Sequence, residues 1–435
     1  MIFFLIYDLV FFLYLLFCFP WLWRRIRPEE QFLGDWRERF GFFSRQIRKR
    51  VRPGSIWFQT VSVGELLSIG PLVKILQERY PGQTLILTVT TKSGRTLAAK
   101  NFPEIPCLFF PLDFSPIVSA TLRLIKPKLV VLVETEIWPN LIRICSRKGI
   151  PVVVVNGRLS PRSFRWYRRF RVFLRRVLPL VKEVAMRTEE EAKRLIFLGA
   201  RKEVVKVVGS IKFDQAYALS LKINPGEVRR KYNLPENRRI VVFGSLHPGE
   251  EKEIVGVARK LLELVPGLLT VIVPRFLDRT GIISYLQEAS LPYTCRSKLP
   301  EGKEKPIWVL DTYGELNNFY SICQLAFVGG SLVPWGGQNP IEPAAFRKPV
   351  IFGKFNWHFF EEWLRIKSAG GGIEVNSYQE LLQQTVSLLQ SEQRLKEMGE
   401  KAFSVVVANR GATQRNMEML NRYLFPRSHF RSTLP

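Results

Sequence analysis

From Ser55 onward, short apolar runs alternate with amphipathic stretches, and that alternation leaves the chain few ways to fold. Ser55–Thr60, Thr84–Thr90, Cys107–Phe110, Leu129–Val133 and Pro151–Val155 read as strands. Between them, Leu66–Tyr80, Ser93–Asn101, Ile117–Ile125 and Trp138–Lys148 read as helices. Strands this apolar are buried on both faces, which calls for parallel pairing with crossover helices on either side. A second series follows, with strands Arg239–Phe243, Thr270–Val273, Ile307–Leu310, Leu325–Val328 and Val350–Phe352, and a helix over Glu250–Leu264. The composition breaks over residues 218–237, where Asn224-Pro225-Gly226 gives a turn signal. A chain of 435 residues suits two domains of about 150–200 residues each. The expectation is α/β: two doubly wound, Rossmann-like domains, residues 26–217 and 218–435, with a cleft between them. That is the GT-B architecture, and ligands in such sheets lie beyond the C-terminal strand ends.

Residues 1–25 stand apart. Ile2 to Trp23 is apolar, broken by Asp8, and Arg24, Arg25 and Arg27 follow with no basic residue before. The length fits one span of ~20 residues. The charge order is that of an anchor helix with its C-terminal side in the cytoplasm, not of a signal peptide. Asp8 is costly at mid-bilayer and the segment is rich in aromatics, so a helix lying in the interface is the alternative. Either form attaches the protein to a membrane. A net charge of +27 favours anionic partners. Gly157 to Lys182 interleaves arginine with Phe, Trp and Tyr, a pattern shared by nucleic-acid binders and by surfaces facing acidic headgroups. Beside a membrane segment the second is favoured, and no nucleic acid is expected. The five cysteines are scattered and the three histidines, His247, His358 and His429, are unclustered. They suggest neither a disulfide framework nor a metal site, and no cofactor is expected.

Phe327 to Gly353, FVGGSLVPWGGQNPIEPAAFRKPVIFG, reads as strand, glycine-rich loop, helix start and strand. Glycines let backbone approach a ligand, and a helix N-terminus offers N–H groups to an anion. Glu342 would sit in the first helical turn, in reach of a sugar hydroxyl. Other polar residues also fall at expected strand ends. Glu65 suits a general base, or simply a glutamate favoured by the helix dipole. Glu134 and Glu136, two apart, point to one face. They suggest converging carboxylates; a metal site is disfavoured without D-x-D or a nearby histidine, and Glu136 equally suits loop ordering or a helix cap. Lys212 follows the apolar run Val204–Val208 and is a surface lysine or a cleft cation. Arg275 can fork onto phosphate. Ser245 and His247 are also at a strand end.

The ordered segments WFQTVSVGE (57–65), VETEIWPN (133–140), VNGRLSPRS (155–163), GSIKFD (209–214), GSLHPGEE (244–251), VPRFLDR (273–279), DTYGEL (311–316) and GGSLVPWGGQNPIEPAA (329–345) resemble the motif set of the 3-deoxy-D-manno-octulosonic acid (Kdo) transferases. The resemblance covers nearly the whole chain. It implies an inverting glycosyltransferase that moves Kdo from CMP-Kdo to a lipid A precursor at the cytoplasmic side of the bacterial inner membrane. It implies Glu65 as proton acceptor, and Glu134 and Lys212 as groups that stabilise the transition state. It also implies that Pro274, Arg275, Tyr313, Gly314, Glu315, Asn339, Pro340, Ile341 and Glu342 hold CMP. The chain departs from the family's pattern at Gln59, Phe276 and Gln338, where histidine is usual, and at His358, where asparagine is usual. The alternatives are a GT-B transferase for another nucleotide sugar, or a basic membrane-tethered protein that binds anionic lipid without activity.

Overall fold

Apolar runs of four to six residues cannot leave water except as strands covered on both sides, and both series fold that way. The computed structural model describes residues 2–26, 36–299 and 305–424, the side chains of residues 18–26 excepted. There are two seven-stranded sheets, and every neighbouring pair of strands is parallel. The first holds β1 (Ile56–Gln59), β2 (Leu85–Val89), β3 (Cys107–Phe109), β4 (Leu129–Val133), β5 (Val152–Gly157), β6 (Glu183–Met186) and β7 (Val205–Val207), in the order β3-β2-β1-β4-β5-β6-β7. The second holds β8 (Ile240–Leu246), β9 (Leu269–Pro274), β10 (Tyr293–Cys295), β11 (Ile307–Val309), β12 (Leu325–Val328), β13 (Val350–Gly353) and β14 (Gly372–Val375), in the order β10-β11-β9-β8-β12-β13-β14. The winding reverses beside β1 in one sheet and beside β8 in the other. Loops leaving β1 and β4, and β8 and β12, therefore surround the two switch points, where doubly wound sheets bind ligands. This is a GT-B-like α/β fold.

Packing follows from the strand composition. β1, β2 and β4 are buried at every position. Trp57, Ile86, Val130 and Leu132 face one layer of helices, while Phe58, Leu87, Val131 and Val133 face the other. Each such side chain contributes about 1.5–3 kcal/mol on burial. In the second sheet, Phe243, Ile272 and Phe327 form one layer, and Val242, Val271 and Ala326 another.

The chain divides into two compact units, Lys212–Arg410 and the remainder, to which the chain returns at Gly411. This differs from the division at residues 217 and 218 with the C-terminus in the second half. The helix Ala412–Leu424 packs Met417, Leu420 and Leu424 against Val155, Ala185 and Ile211 of the first unit. Arg415 Nε donates to the Val208 carbonyl at 2.8 Å, and Tyr80 Oη to Asn421 Oδ1 at 3.2 Å. A return across 200 residues leaves no trace in linear composition.

The helix expected over Leu66–Tyr80 is two, Val63–Ser68 and Gly70–Arg79. Pro71 has no N–H to give an interior turn, so it opens the second helix instead. The apolar N-terminus forms one helix, Ile2–Ile26. It does not stand apart: Phe4 is buried in the first unit's core, against Phe173. Among the described residues no helix is long and apolar enough to cross a membrane. The basic run Arg24, Arg25 and Arg27, and His429, lie outside the described side chains.

Candidate active site

In the first unit the carboxylates gather at the switch point. The β1 strand runs into Val61-Ser62-Val63-Gly64-Glu65, which closes as a capping box. Ser62 Oγ accepts the Glu65 N–H at 3.2 Å, and the Glu65 carboxylate accepts the Val61 N–H at 2.6 Å and the Ser62 hydroxyl at 3.2 Å. The local sequence thus fixes the rotamer of Glu65. Its carboxyl is pushed up to about 7, first by burial and then by the charge of Glu134, against the lowering effect of the Val61 and Ser62 bonds.

The β4 strand ends at Val133, and Glu134 turns the chain at φ 59°, a left-handed conformation uncommon for a glutamate. Its carboxylate is paired with Arg187, whose Nε also donates to Asn156 Oδ1 at 3.1 Å. Arg187 is buried, and no pattern in the sequence singled it out. The only linear hint is its position just past β6. The Glu136 carboxyl is likewise raised to about 7, by burial and then by Glu65 and Glu134. Glu65 and Glu136 are therefore both raised toward neutral pH. The helix that follows, Pro139–Arg147, takes its cap from Asp113: the Asn140 and Leu141 N–H groups donate to it at 3.0 and 2.9 Å. Glu136 plays no capping part there.

In the second unit backbone does most of the shaping. Glu250, fully buried, accepts N–H bonds from His247, Gly330, Ser331 and Leu332 at 2.6–3.2 Å. One carboxylate thereby clamps the glycine loop after β12 to the turn after β8. Sequence reading missed this role, taking Glu250 only as the start of a helix. Within the loop Gly336 has φ 91°, and a Cβ there would lie 2.5 Å from the Trp357 indole nitrogen. Asn339 closes the loop: its Oδ1 accepts the Ile341 N–H at 3.2 Å and its Nδ2 donates to Glu342 at 3.0 Å. The helix is short, Ile341–Ala345. Burial raises the Glu342 carboxyl, while Asn339, Arg275 and Lys212 oppose that shift. The same opposition places both cations within electrostatic reach of Glu342. The Lys212 ammonium lies 4.3 Å from the centre of the Phe359 ring.

Pro274 is buried at the end of β9, and Arg275 is exposed just beyond, its N–H bonded to the Leu246 carbonyl at 2.8 Å. Tyr313 is 76% exposed and Gly314 has φ 85°. Glu315 is engaged inside its own domain: Tyr232 Oη donates to it at 2.7 Å and Arg296 at 3.1 Å, with Thr312 also bonded and Lys231 at 3.6 Å. Burial acts to raise its carboxyl, but these partners outweigh burial and leave it lowered. Its carboxylate holds the Asp311–Glu315 loop in shape.

Two departures from the family pattern meet at His247. Gln338 Nε2 lies 2.8 Å from His247 Nε2, and Phe276 stands edge-on at 5.5 Å, with Trp335 at 4.9 Å. The His247 imidazole is lowered to about 4 by burial, then by Arg275 and His358, and is neutral.

The family model for 3-deoxy-D-manno-octulosonic-acid transferase matches residues 34–215. A 3-deoxy-D-manno-octulosonic acid transferase of Haemophilus influenzae is 34% identical over 396 residues, covering 89% of this chain and 91% of that protein. This chain belongs to the Kdo transferase family. A Bordetella pertussis member is 30% identical, over 93% of this chain and 95% of its own. Among solved structures, a UDP-GlcNAc 2-epimerase from Neisseria meningitidis superposes with a TM-score of 0.60 at 15% identity, covering 85% of this chain and all of that one. A glycosyltransferase from Rickettsia africae superposes with a TM-score of 0.58 at 14% identity, over 86% and 100%. At these identities the structures speak to the fold alone. As a Kdo transferase the chain is a glycosyltransferase.

Proposed function

We propose that this Kdo transferase moves Kdo from CMP-Kdo to a lipid A precursor in lipopolysaccharide biosynthesis, with inversion, while attached to the cytoplasmic face of the bacterial inner membrane. Glu65 takes the proton of the acceptor hydroxyl. A base matched to near-neutral pH is efficient there, because it is both ionised and basic enough. The hydroxyl oxygen bonds to the anomeric carbon of Kdo as the bond to the CMP phosphate oxygen breaks. Glu134, held by Arg187, supports the positive charge that develops on the sugar. Lys212 and Arg275 offset the charge that develops on the departing phosphate. Asn339, Glu342 and the glycine loop hold the nucleotide, with Pro274, Tyr313, Gly314, Pro340 and Ile341 shaping the site. Glu315 supports it from behind. The apolar N-terminal helix and the arginine-rich segment 161–177 attach the protein to anionic lipid.

The observation that carries this reading is the capped, partly desolvated Glu65 at the switch point of the first sheet in a Kdo transferase family member. Incubation with CMP-Kdo and a tetraacylated lipid A precursor, followed by mass spectrometry, is expected to give a Kdo-bearing lipid and free CMP. Turnover with a UDP-sugar and none with CMP-Kdo would favour another donor. Lipid binding without turnover of either donor would favour the inactive tether.

A further inference from the structure

The N-terminal helix is apolar all round, yet it is docked along one side. Phe4, Tyr7, Asp8, Phe11 and Leu15 are at least half-buried and recur at helical spacing. Phe4 and Tyr7 pack on Phe173, and Phe11 and Phe12 on Phe114. At the centre is Asp8, the residue that made a membrane span costly. Its carboxylate accepts the Ser115 N–H at 3.2 Å, the Ser115 hydroxyl at 2.5 Å and the Asn140 Nδ2 at 2.7 Å, with Arg143 at 4.0 Å. Tyr7 Oη adds a bond to Asp113 at 3.1 Å. The opposite side presents Leu5, Ile6, Leu9, Val10, Leu16 and Phe17, each more than half exposed.

Two consequences follow. Phe4 to Leu15 runs about 16 Å along the helix at ~1.5 Å per residue. A section docked over that length cannot stand upright in hydrocarbon without dragging Arg143 and the Asp113 turn in with it, at high cost. The exposed side also adjoins the arginine-rich helices: Arg176 stacks on Phe3 at 3.6 Å, and Trp166, Phe170 and Val172 are exposed on that segment. An apolar ridge bordered by guanidinium groups matches an anionic bilayer surface, acyl chains beneath phosphates. Asn140 belongs to the VETEIWPN segment, and no step of the transfer had used it. It is fully buried, and its Nδ2 bridges Asp8 and the Asp113 carbonyl, the latter at 2.7 Å, one turn after the loop of Glu134 and Glu136.

We propose that Asp8 is a positioning residue. It locks residues 2–17 flat on the first unit as an interfacial helix facing an anionic bilayer and, through Asn140, ties that helix to the carboxylate loop. The inference rests on the membrane attachment proposed above and goes further, by excluding a span.

The full chain is tested first by flotation with phosphatidylethanolamine–phosphatidylglycerol vesicles lacking acceptor. The wild type is expected to float. Failure to float overturns the membrane reading itself, and flotation only when acceptor lipid is added means that the ridge holds acceptor acyl chains instead. In a Cys18→Ser background, spin labels at Leu5→Cys, Leu9→Cys and Leu16→Cys are then expected to report one shallow depth. A steady change of about 16 Å from position 5 to 16 would mean a span, sinking the in-plane helix while leaving membrane attachment intact. Finally, turnover is followed with detergent-dispersed acceptor, where membrane binding has no part. Asp8→Ala is expected to lower kcat about tenfold, the scale for losing buried hydrogen bonds to a charged group, with the KM for CMP-Kdo unchanged. Asp8→Asn keeps the acceptor oxygen and is expected to restore most of it. If Asp8→Ala does not fold, Ser115→Ala, which removes one bond to Asp8, is expected to lower kcat about threefold in its place. Wild-type kcat in Asp8→Ala, or in Ser115→Ala where that stands in for it, would overturn the link to the carboxylate loop.

Discussion

The two sheets share a topology and build their candidate sites from different materials. At the first switch point the working groups are side chains: Glu65 in its capping box, Glu134 against Arg187, and Glu136 beside them. At the second the main work falls to backbone, a glycine loop whose N–H groups are gathered by Glu250. A site that moves a proton needs titratable groups with tuned affinities. A site that holds a nucleotide needs a rigid, close-fitting surface. Damage to the first is expected to change rate and pH dependence, and damage to the second to change binding and stability.

The largest effect tests the first half. Glu65→Ala is expected to lower Kdo transfer by about 10²-fold or more, with CMP binding unchanged, since a general base supplies that much. Near-normal turnover would remove Glu65 from the chemistry. Next, Glu250→Ala leaves four buried N–H groups without an acceptor. A loss of about 3 kcal/mol or more in unfolding free energy is expected, together with weaker CMP binding measured by calorimetry. Unchanged CMP affinity would show that the glycine loop does not depend on its clamp. Lys212→Ala is expected to cut kcat by about tenfold or more, while turnover with detergent-dispersed acceptor persists in excess EDTA. Loss in EDTA restored by Mg²⁺ would instead make Glu134 and Glu136 a metal site.

A smaller effect concerns pH. Glu65 accepts a proton only when ionised, and its carboxyl is raised to about 7. The rate at subsaturating acceptor is therefore expected to rise with pH through about 7 and to be lost below it. Glu136→Gln removes a neighbouring negative charge, so the acid limb is expected to move to lower pH. An unmoved limb would separate the two carboxylates. The smallest expectation is a null. His247 is lowered to about 4, so CMP affinity is expected to carry no His247 titration between pH 5 and 8, and His247→Gln is expected to leave its pH dependence over that range unchanged.

Much of this was legible in the sequence, because the signals are local. Alternating apolar runs impose buried parallel strands, and Ser62 with Glu65 writes a capping box in four residues. The short edge strands β10 and β14 and the Glu183-headed β6 were missed, being brief or polar at one end. Distant partners were invisible as well: Arg187 for Glu134, Glu250 for a loop 80 residues on, Asn140 for Asp8 and Asn421 for Tyr80. The sequence alone determined the fold class, the family and the candidate carboxylates, since periodicity, capping and motif order are written along the chain. Only the tertiary structure decided where the C-terminal helix belongs, which carboxylates are raised by burial, and that Asp8 has partners. Burial and long-range hydrogen bonds depend on which surfaces meet, and that is settled only once the sheets have formed.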